Sequence, residues 1–214
     1  MEKMRFIVSS LETLYGGDSF LARESRRQNP FRVLISTILS QRTRDENTAR
    51  ASQRLFSKLK TPRALAKANT STIESLIRES GFYRIKATRI KQVSRIIIDE
   101  YGGNVPDKFS ELIRLPGVGR KTANCVLLFG FAKNVIPVDT HVHRISNRVG
   151  LVDTTTPEKT EEALRKNVPR RYWMLLNDLF VSFGKDICKP VGPQCERCPI
   201  YSICKWERKR KRKI

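Results

Sequence analysis

The chain has 214 residues and a formal net charge of +21, with an isoelectric point near 10.3. A chain of this length buries a hydrophobic core without disulfide bridges, and the charge predicts binding to a polyanion with an affinity that falls steeply as salt rises. No apolar run reaches the length of a signal peptide or a membrane span, so we expect an intracellular protein that does not enter a membrane, although charge alone would also suit a ribosomal protein or an anionic membrane surface.

The first two elements are predicted to be helices joined by a polar connector. An amphipathic pattern runs to Tyr15 and stops at Gly16 and Gly17, and it directs four apolar side chains inward: Phe6, Ile7, Leu11 and Leu14. After the connector DSFLARESRRQNP, the segment PFRVLISTILSQ is typical of an apolar helix. That helix ends at an exposed bend carrying Gln41 and Arg42.

The next helices are recognised by their start signals. A helix over residues 45–59 is followed by TPRALAKA, in which the threonine is the predicted N-cap and the proline lies in the first turn. Ser71 and Glu74 predict a capping box for a further helix, which Gly81 would end.

A bend with Phe82 and Tyr83 then precedes a long helix that has one apolar face. Three basic residues of this helix are interpreted as a solvated face, which is the ordinary role of such a pattern: Lys86, Arg89 and Lys91.

The stretch LPGVGRKTANCVLLFG separates two apolar helical patterns by Gly117 and Gly119, which predicts a helix, a tight hairpin and a second helix. Glycines at such a hairpin let backbone N–H groups approach an anion, and the start of the second helix adds free N–H groups and the positive end of its dipole. A nucleic-acid phosphate is the natural ligand.

Two residues near this hairpin are candidates for chemistry. Lys121 lies in the first turn of the second helix beside Arg120, where positive surroundings favour the neutral, nucleophilic amine. Asp139 follows a Pro-Val pair and would cap the helix HVHRISNRVG, which keeps a carboxylate ionised. Spacing alone leaves an equally good alternative, in which Lys121 is a phosphate contact and Asp139 an ordinary cap.

The remaining chain continues the helical patterns, so the fold class is predicted as all-α, with about ten helices. Its last feature is a group of four cysteines within seventeen residues: Cys188, Cys195, Cys198 and Cys204. Four thiolates in a loop with several prolines can bind either zinc or a [4Fe-4S] cluster, and spacing does not separate the two. The fifth cysteine, Cys125, falls on an apolar helix face and is predicted to lie in the core.

The segments LPGVGRKTA and VDTHVHR resemble the helix-hairpin-helix (HhH-GPD) superfamily of DNA glycosylases, and in detail the endonuclease III family. The resemblance assigns nucleophilic attack on the sugar to Lys121 and assistance to Asp139. It implies a bifunctional base-excision-repair glycosylase and AP lyase that removes oxidised pyrimidines from double-stranded DNA through a Schiff base and cuts the strand by β-elimination. The 6-2-5 cysteine spacing is similar to that family's cluster loop, which favours [4Fe-4S].

The resemblance also implies two domains. One would be a helical barrel over residues 22–133, with the hairpin motif at about 108–130. The other would combine residues 1–21 with 134–205 and hold the cluster, so that Lys121 and Asp139 line a cleft between domains. Residues 206–214 are expected to be a disordered basic tail, and the protein is expected to be a monomer, in the cytoplasm and nucleoid if it is prokaryotic.

The remaining site predictions concern DNA contacts. Gln41 and Phe82 resemble the family's plugging and wedging positions, which fill the space left by an extruded base. The other predicted contacts are Arg42, Gly117, Gly119, Arg120, His141 and Arg144. Two alternatives stay open: a glycosylase for uracil or thymine mispaired with guanine, and a non-catalytic DNA-binding module, which the presence of both Lys121 and Asp139 disfavours.

Overall fold

The computed structural model of the protein describes residues 2–16 and 29–206. These residues form helices and no strand, which confirms the all-α prediction. None of the helices among them is long and apolar enough to cross a membrane. The connector lies mostly outside the described ranges, as does the basic tail except for Trp206.

The described ranges contain eleven α-helices, and the sequence patterns located most of them. In chain order they are α1 (Glu2–Tyr15), α2 (Pro30–Ser40), α3 (Asp45–Lys58), α4 (Pro62–Lys67), α5 (Thr70–Leu76), α6 (Tyr83–Tyr101), α7 (Phe109–Leu112), α8 (Arg120–Cys125), α9 (Thr140–Arg148), α10 (Pro157–Asn167) and α11 (Trp173–Asp186). A π-helical segment, Val126–Gly130, continues α8 directly.

Contacts divide the chain into two compact units, with boundaries near residues 24 and 133. The middle unit contains α2 to α8. The terminal unit combines α1 with α9 to α11, so the first helix packs with elements that follow it by more than a hundred residues.

Helix α2 is the centre of the middle unit. It contacts α3, α6, α8 and the π segment, and four of its side chains are fully buried: Leu34, Ile35, Ile38 and Leu39. Gly130 lets the π segment approach α2, because a Cβ there would lie 3.1 Å from the Cα of Pro30. The hairpin's second helix is therefore held against the most buried element of its unit.

Helix α11 has the same role in the terminal unit. It packs on α1 and α9, and Phe180 and Phe183 are almost completely buried within it. Its Asn177 Nδ2 donates a buried hydrogen bond of 2.9 Å to the carbonyl of Pro137. That bond positions the backbone two residues before Asp139.

Several local start signals are confirmed and one is wrong. The hydroxyl of Thr61 accepts from the backbone N–H of Ala64 in the first turn of α4, as predicted, and the hydroxyl of Thr156 caps α10 in the same way. The capping box of Ser71 and Glu74 does not form, because α5 begins at Thr70 after Asn69 and ends at Leu76, before the predicted stop at Gly81. The starting residue of so short a helix is set by its packing on α3 and α6.

Burial of α1 differs from the expectation. Phe6 and Leu14 are 40% and 49% exposed, whereas Ile7 and Leu11 are buried as predicted. Met4 and Val8 complete the inward stripe at i, i+3, i+4 and i+7 spacing. The apolar residues of α1 cover more than one face, and the terminal unit's core selects one.

Lys86 corrects the interpretation of α6 as carrying a solvated basic face. Lys86 is only 3% exposed. Its Nζ lies within 2.9 Å of four oxygens, which belong to Leu39, Gln41, Thr43 and Ser80. Lys91 is also engaged, donating to the carbonyl of Ala68 at 2.7 Å.

Candidate functional site

The predicted hairpin is present between α7 and α8. Gly117 turns the chain with φ +77°, and Gly119, with φ −91°, is the N-cap of α8. Val118 between them is buried and donates its N–H to the carbonyl of Leu115 at 3.0 Å. The hairpin is thus anchored by its middle residue while Gly119 is exposed.

The two hairpin glycines serve different purposes. Gly117 occupies the left-handed region that L side chains rarely adopt, and a Cβ there would meet the Arg89 side chain at 2.9 Å. A Cβ on Gly119 would meet nothing within 4 Å. The first glycine is therefore required by the turn, and the second leaves open space at the start of α8.

Lys121 is the second residue of α8, as the sequence predicts, and it is partly exposed. Arg120, the first residue, is exposed and places its Cζ 5.2 Å from the centre of the Phe109 ring in α7. The ring restrains the guanidinium beside the hairpin. The start of α8 therefore carries two successive basic residues, directly after Gly119.

Asp139 is the N-cap of α9, and this prediction is confirmed. Its Oδ1 accepts from the backbone N–H groups of His141 and Val142, both at 2.9 Å. The residue is partly exposed, so the carboxylate is fixed by backbone donors and still accessible. The helix-capping bonds occupy one oxygen and leave Oδ2 as an acceptor.

His141 and Arg144 follow on α9 and are engaged within the terminal unit. The Arg144 guanidinium donates to the carbonyls of Cys188 and Gly184 at 2.9 and 3.2 Å, and lies 3.1 Å from His141 Nδ1. Burial lowers the pKa of His141. Arg144 therefore ties α9 to the cysteine loop, and contact of these two residues with DNA stays a prediction.

Gln41 lies at the end of α2, where its side chain reaches the hairpin. Nε2 donates to the carbonyl of Gly117 at 2.9 Å and to Thr122 Oγ1 at 3.3 Å. The sequence predicts an exposed bend at Gln41 and does not predict a hydrogen-bond partner for its side chain. The structure joins it to the two residues that flank the start of α8.

Arg42 and Phe82 lie on neighbouring bends. Both have positive φ, 51° and 58°, and Arg42 Cζ is 5.9 Å from the centre of the Phe82 ring. Phe82 is 58% exposed, which is unusual for a phenylalanine, and it is therefore not a core residue.

Within the described residues the four C-terminal cysteines form no disulfide bridge, and all four are partly exposed. Burial and then the neighbouring charges of Cys188 and Cys204 raise the pKa of Cys195, and burial raises the pKa of Cys198 to about 11, with contributions from the other three thiols. The four sulfurs are therefore electrostatic neighbours. Cys125 is 1% exposed, which confirms its prediction as a core residue.

The fit of this loop to a metal group depends on the number of metal ions. Among the described residues, no three His, Cys, Asp or Glu side chains are arranged to hold one ion. Zinc would need all four sulfurs at about 2.3 Å from one centre. A [4Fe-4S] cluster binds each thiolate to a different iron and so accepts a wider spacing of sulfurs.

Arg148, at the end of α9, organises the cysteine loop and was missed by the sequence reasoning. It is 8% exposed and donates to Cys188 Sγ at 3.4 Å and to the carbonyls of Lys189 and Pro190 at 2.8 and 3.1 Å. Its Cζ lies 4.0 Å from the centre of the Trp206 ring. Nothing in the local pattern distinguishes it from other basic residues of the helix.

A cavity of about 570 Å³ opens beside this loop, and Arg148, Lys205 and Trp206 are among the residues that line it. The other described residues that line it are polar or basic and none is acidic: His143, Arg144, Asn147 and Thr154. The cavity adds to the basic surface of the terminal unit.

Comparison with known proteins gives consistent matches over most of the chain. The family described as HhH-GPD superfamily base excision DNA repair protein matches residues 35–170. Endonuclease III of Thermotoga maritima is 56% identical over 188 residues, which is 88% of each chain. Among solved structures, a trapped endonuclease III-DNA covalent intermediate is 35% identical with a TM-score of 0.85, covering 99% of this chain and 98% of that one. A thermostable thymine-DNA glycosylase is 28% identical with a TM-score of 0.82, covering 97% and 98%.

The first prediction separates the roles of the two hairpin glycines. Gly117→Ala should lower the free energy of unfolding by about 1 kcal/mol, because alanine is strained at positive φ. Gly119→Ala should leave stability nearly unchanged and weaken binding to duplex DNA, because its methyl group would occupy the open space where a phosphate is expected. Urea unfolding and fluorescence anisotropy measure the two effects. Equal affinity of Gly119→Ala and the unaltered protein would contradict a phosphate site there.

The second prediction concerns the cap of α9. Asp139→Ala should destabilise the protein by about 1 kcal/mol, because two backbone donors lose their acceptor. Asp139→Asn should stay within a few tenths of a kcal/mol of the unaltered protein, since an amide oxygen caps as well. Urea unfolding of both variants tests this, and equal losses would show that the carboxylate charge, rather than the acceptor, stabilises the helix.

Proposed function

We propose that this chain, which belongs to the HhH-GPD superfamily of base excision DNA repair proteins, removes oxidised pyrimidines from duplex DNA and then cuts the strand at the abasic site. It is a base-excision DNA glycosylase and lyase of the endonuclease III type that binds duplex DNA. What we propose is the identity of the lesion, an oxidised pyrimidine, and the role of each residue.

One observation carries the proposal. A lysine follows directly on the first residue of the hairpin's second helix in a chain that matches, over 99% of its length, a protein trapped in a covalent intermediate with DNA. A covalent intermediate with a sugar needs a nucleophile, and an amine is the side chain that forms a Schiff base. We therefore assign the nucleophile to Lys121.

In the proposed first step, the Lys121 nitrogen forms a bond to C1′ as the bond from C1′ to the base breaks. The bonding electrons leave with the base, which then takes up a proton. Asp139 stabilises the positive charge that develops on the sugar, and its partly exposed carboxylate, held by the N–H groups of His141 and Val142, is suited to that task.

In the second step the nitrogen's lone pair forms a second bond to C1′ as the C1′–O4′ bond breaks, and a proton lost from the nitrogen ends on O4′, so the ring opens and an imine joins Lys121 to C1′. The imine makes the C2′ proton acidic, so its removal expels the 3′ oxygen with its electrons and the strand breaks. Lys121 is finally released by water. This β-elimination requires the amine, which is why the lysine favours a combined glycosylase and lyase.

The other DNA contacts follow the same proposal. Gly117, Gly119 and Arg120 would hold a phosphate at the hairpin, and Gln41 and Phe82 would fill the space left by the extruded base. Work on chromosomal DNA would place the protein in the cytoplasm and nucleoid of a prokaryotic cell.

We further propose that Cys188, Cys195, Cys198 and Cys204 bind a [4Fe-4S] cluster. The cluster would supply a cross-link for a loop that has few apolar side chains of its own. Arg148 supports the assignment, because its donor to Cys188 Sγ and its bonds to the loop carbonyls provide the hydrogen bonding that a cluster's thiolates receive.

A second substrate class has an observation in its favour. The thermostable thymine-DNA glycosylase matches 97% of this chain, so uracil or thymine opposite guanine is the runner-up. A non-catalytic DNA-binding module is the alternative of another class.

The third prediction tests the nucleophile and the substrate together. Borohydride should trap a covalent adduct of the protein with a duplex carrying thymine glycol, and Lys121→Gln should abolish it while affinity for abasic DNA stays within about threefold, because the phosphate contacts remain. Lys67→Gln, an exposed lysine of α4, is the matched control. An adduct only with mispaired uracil or thymine would move the substrate to the runner-up, and tight binding without any adduct would favour the non-catalytic module.

The fourth prediction tests the cluster. Cys188→Ser should lower the iron and acid-labile sulfide bound per chain, whereas Cys125→Ser should leave both unchanged, because Cys125 lies in the core of the other unit. Elemental analysis of the purified proteins distinguishes the alternatives. If the unaltered protein contains one zinc atom per chain and no iron, the loop binds zinc.

A further inference from the structure

Two bends of the middle unit lie side by side. The Gln41 bend, residues 40–44, joins α2 to α3, and the Phe82 bend, residues 77–82, joins α5 to α6. They are about forty residues apart in sequence. Their exposed side chains include Arg42 and Phe82, whose guanidinium and ring lie 5.9 Å apart.

Both bends hold a strained backbone. Arg42 and Phe82 are two of the three non-glycine residues with positive φ in the part of the chain that the structure describes. Such a conformation costs of the order of 1 kcal/mol and persists only where surrounding contacts impose it. One side chain contacts both bends, at the carbonyl of Gln41 directly before Arg42 and at the hydroxyl of Ser80 two residues before Phe82.

That side chain is Lys86, in the first turn of α6. Its Nζ lies 2.7 and 2.6 Å from the carbonyl oxygens of Leu39 and Gln41 and 2.9 Å from the hydroxyl oxygens of both Thr43 and Ser80, so its three N–H groups are shared among four acceptors. Three of these oxygens belong to the end of α2 and the Gln41 bend, and the fourth belongs to the Phe82 bend. One ammonium group therefore bridges both.

The same two bends are joined directly around this group. Ser80 Oγ donates to the carbonyl of Leu39 at 2.9 Å, and the N–H of Gly81 donates to Thr43 Oγ1 at 3.0 Å. Gly81 also comes so close that a Cβ would lie 2.7 Å from the carbonyl oxygen of Arg42. The bends form one packed substructure with Lys86 at its centre.

Joining the two bends through a buried ammonium costs free energy, because the charge must leave water. All four acceptors are neutral oxygens, and the lysine is 3% exposed, so the charge loses most of its hydration and, among the described residues, has no carboxylate bonded to its nitrogen. Burial, and then the neighbouring Arg89, lower its pKa to about 8. A hydrophobic side chain would fill the same space at less cost but would not orient four acceptors.

We propose that Lys86 is a positioning residue that locks the Gln41 bend and the Phe82 bend into one rigid element for entry into the duplex. This inference rests on the proposed function. Extruding a base costs a few kcal/mol, and side chains ordered in advance do not add their own ordering cost to that step. Lys86 acts through the bends and does not touch the reacting atoms.

The test compares Lys86→Met with Lys91→Met, which removes a lysine of the same helix whose ammonium donates to the carbonyl of Ala68 and to neither bend residue of the described chain. Single-turnover excision of thymine glycol is measured in two duplexes, one with the lesion opposite adenine and one with it opposite an abasic site. In the second duplex no base pair has to be broken, so extrusion of the lesion costs less free energy. We expect Lys86→Met to slow excision opposite adenine by about tenfold more than opposite the abasic site, and Lys91→Met to slow both equally or neither.

Each other outcome overturns the inference. Equal slowing of Lys86→Met on both duplexes would mean that the lysine only stabilises the fold, and no slowing would mean that the bends keep their arrangement without it. An unaltered protein that excises the lesion from neither duplex would instead refute the proposed function, and the inference with it.

A second measurement does not depend on catalysis or on one variant. With Lys121→Gln as background, 2-aminopurine opposite the lesion should brighten on binding, and adding Lys86→Met should suppress this signal while affinity changes less than threefold. Thr43→Ala, which removes one acceptor of the ammonium and leaves three, should give a smaller effect in the same direction and keeps the test valid if Lys86→Met folds poorly. An unchanged signal in both variants would contradict the positioning role.

Discussion

The constraint on which the middle unit depends is the burial of the Lys86 ammonium among four neutral oxygens. A charge out of water must have its hydrogens accepted, so each acceptor group is restrained to one position. Three of those positions lie at the end of α2 or in the bend that follows it. Gln41 lies in that bend, and its side-chain amide donates to the carbonyl of Gly117 in the hairpin and to the hydroxyl of Thr122 in α8. The interior of α2 and the hairpin surface are thereby connected by a few hydrogen bonds.

In the terminal unit, Asp139 and Arg148 likewise hold backbone in position, one at each end of α9. One carboxylate oxygen caps α9, and the same carboxylate is the proposed electrostatic partner of the sugar, so the helix orients the group that the chemistry needs. At the other end of α9, Arg148 binds the loop that carries the cysteines. A single nine-residue helix, Thr140–Arg148, thus fixes one candidate catalytic residue and one side of the cysteine loop.

These arrangements explain why the candidate site has residues of two kinds. Lys121, Asp139 and the cysteines have side chains whose chemistry is needed directly, and their roles stay predictions until the variants are measured. Gly117, Arg148 and Lys86 act by holding backbone in position. Gly117 turns the backbone just before Lys121, Arg148 holds the loop of the cysteines, and Lys86 holds the bends that carry Gln41 and Phe82.

The sequence by itself determined the all-α class, most helix starts, the hairpin turn at Gly117 and the cap at Asp139, because these depend on neighbours within four residues. It also carried the family resemblance through the hairpin motif and the cysteine spacing. The tertiary structure alone decided that Lys86 is buried rather than solvated, that Phe6 and Leu14 face outward, and that α5 starts at Thr70. It also decided that Arg148 holds the loop of Cys188 from forty residues away. Burial and long-range hydrogen bonds depend on residues distant in sequence, whose proximity no local pattern records.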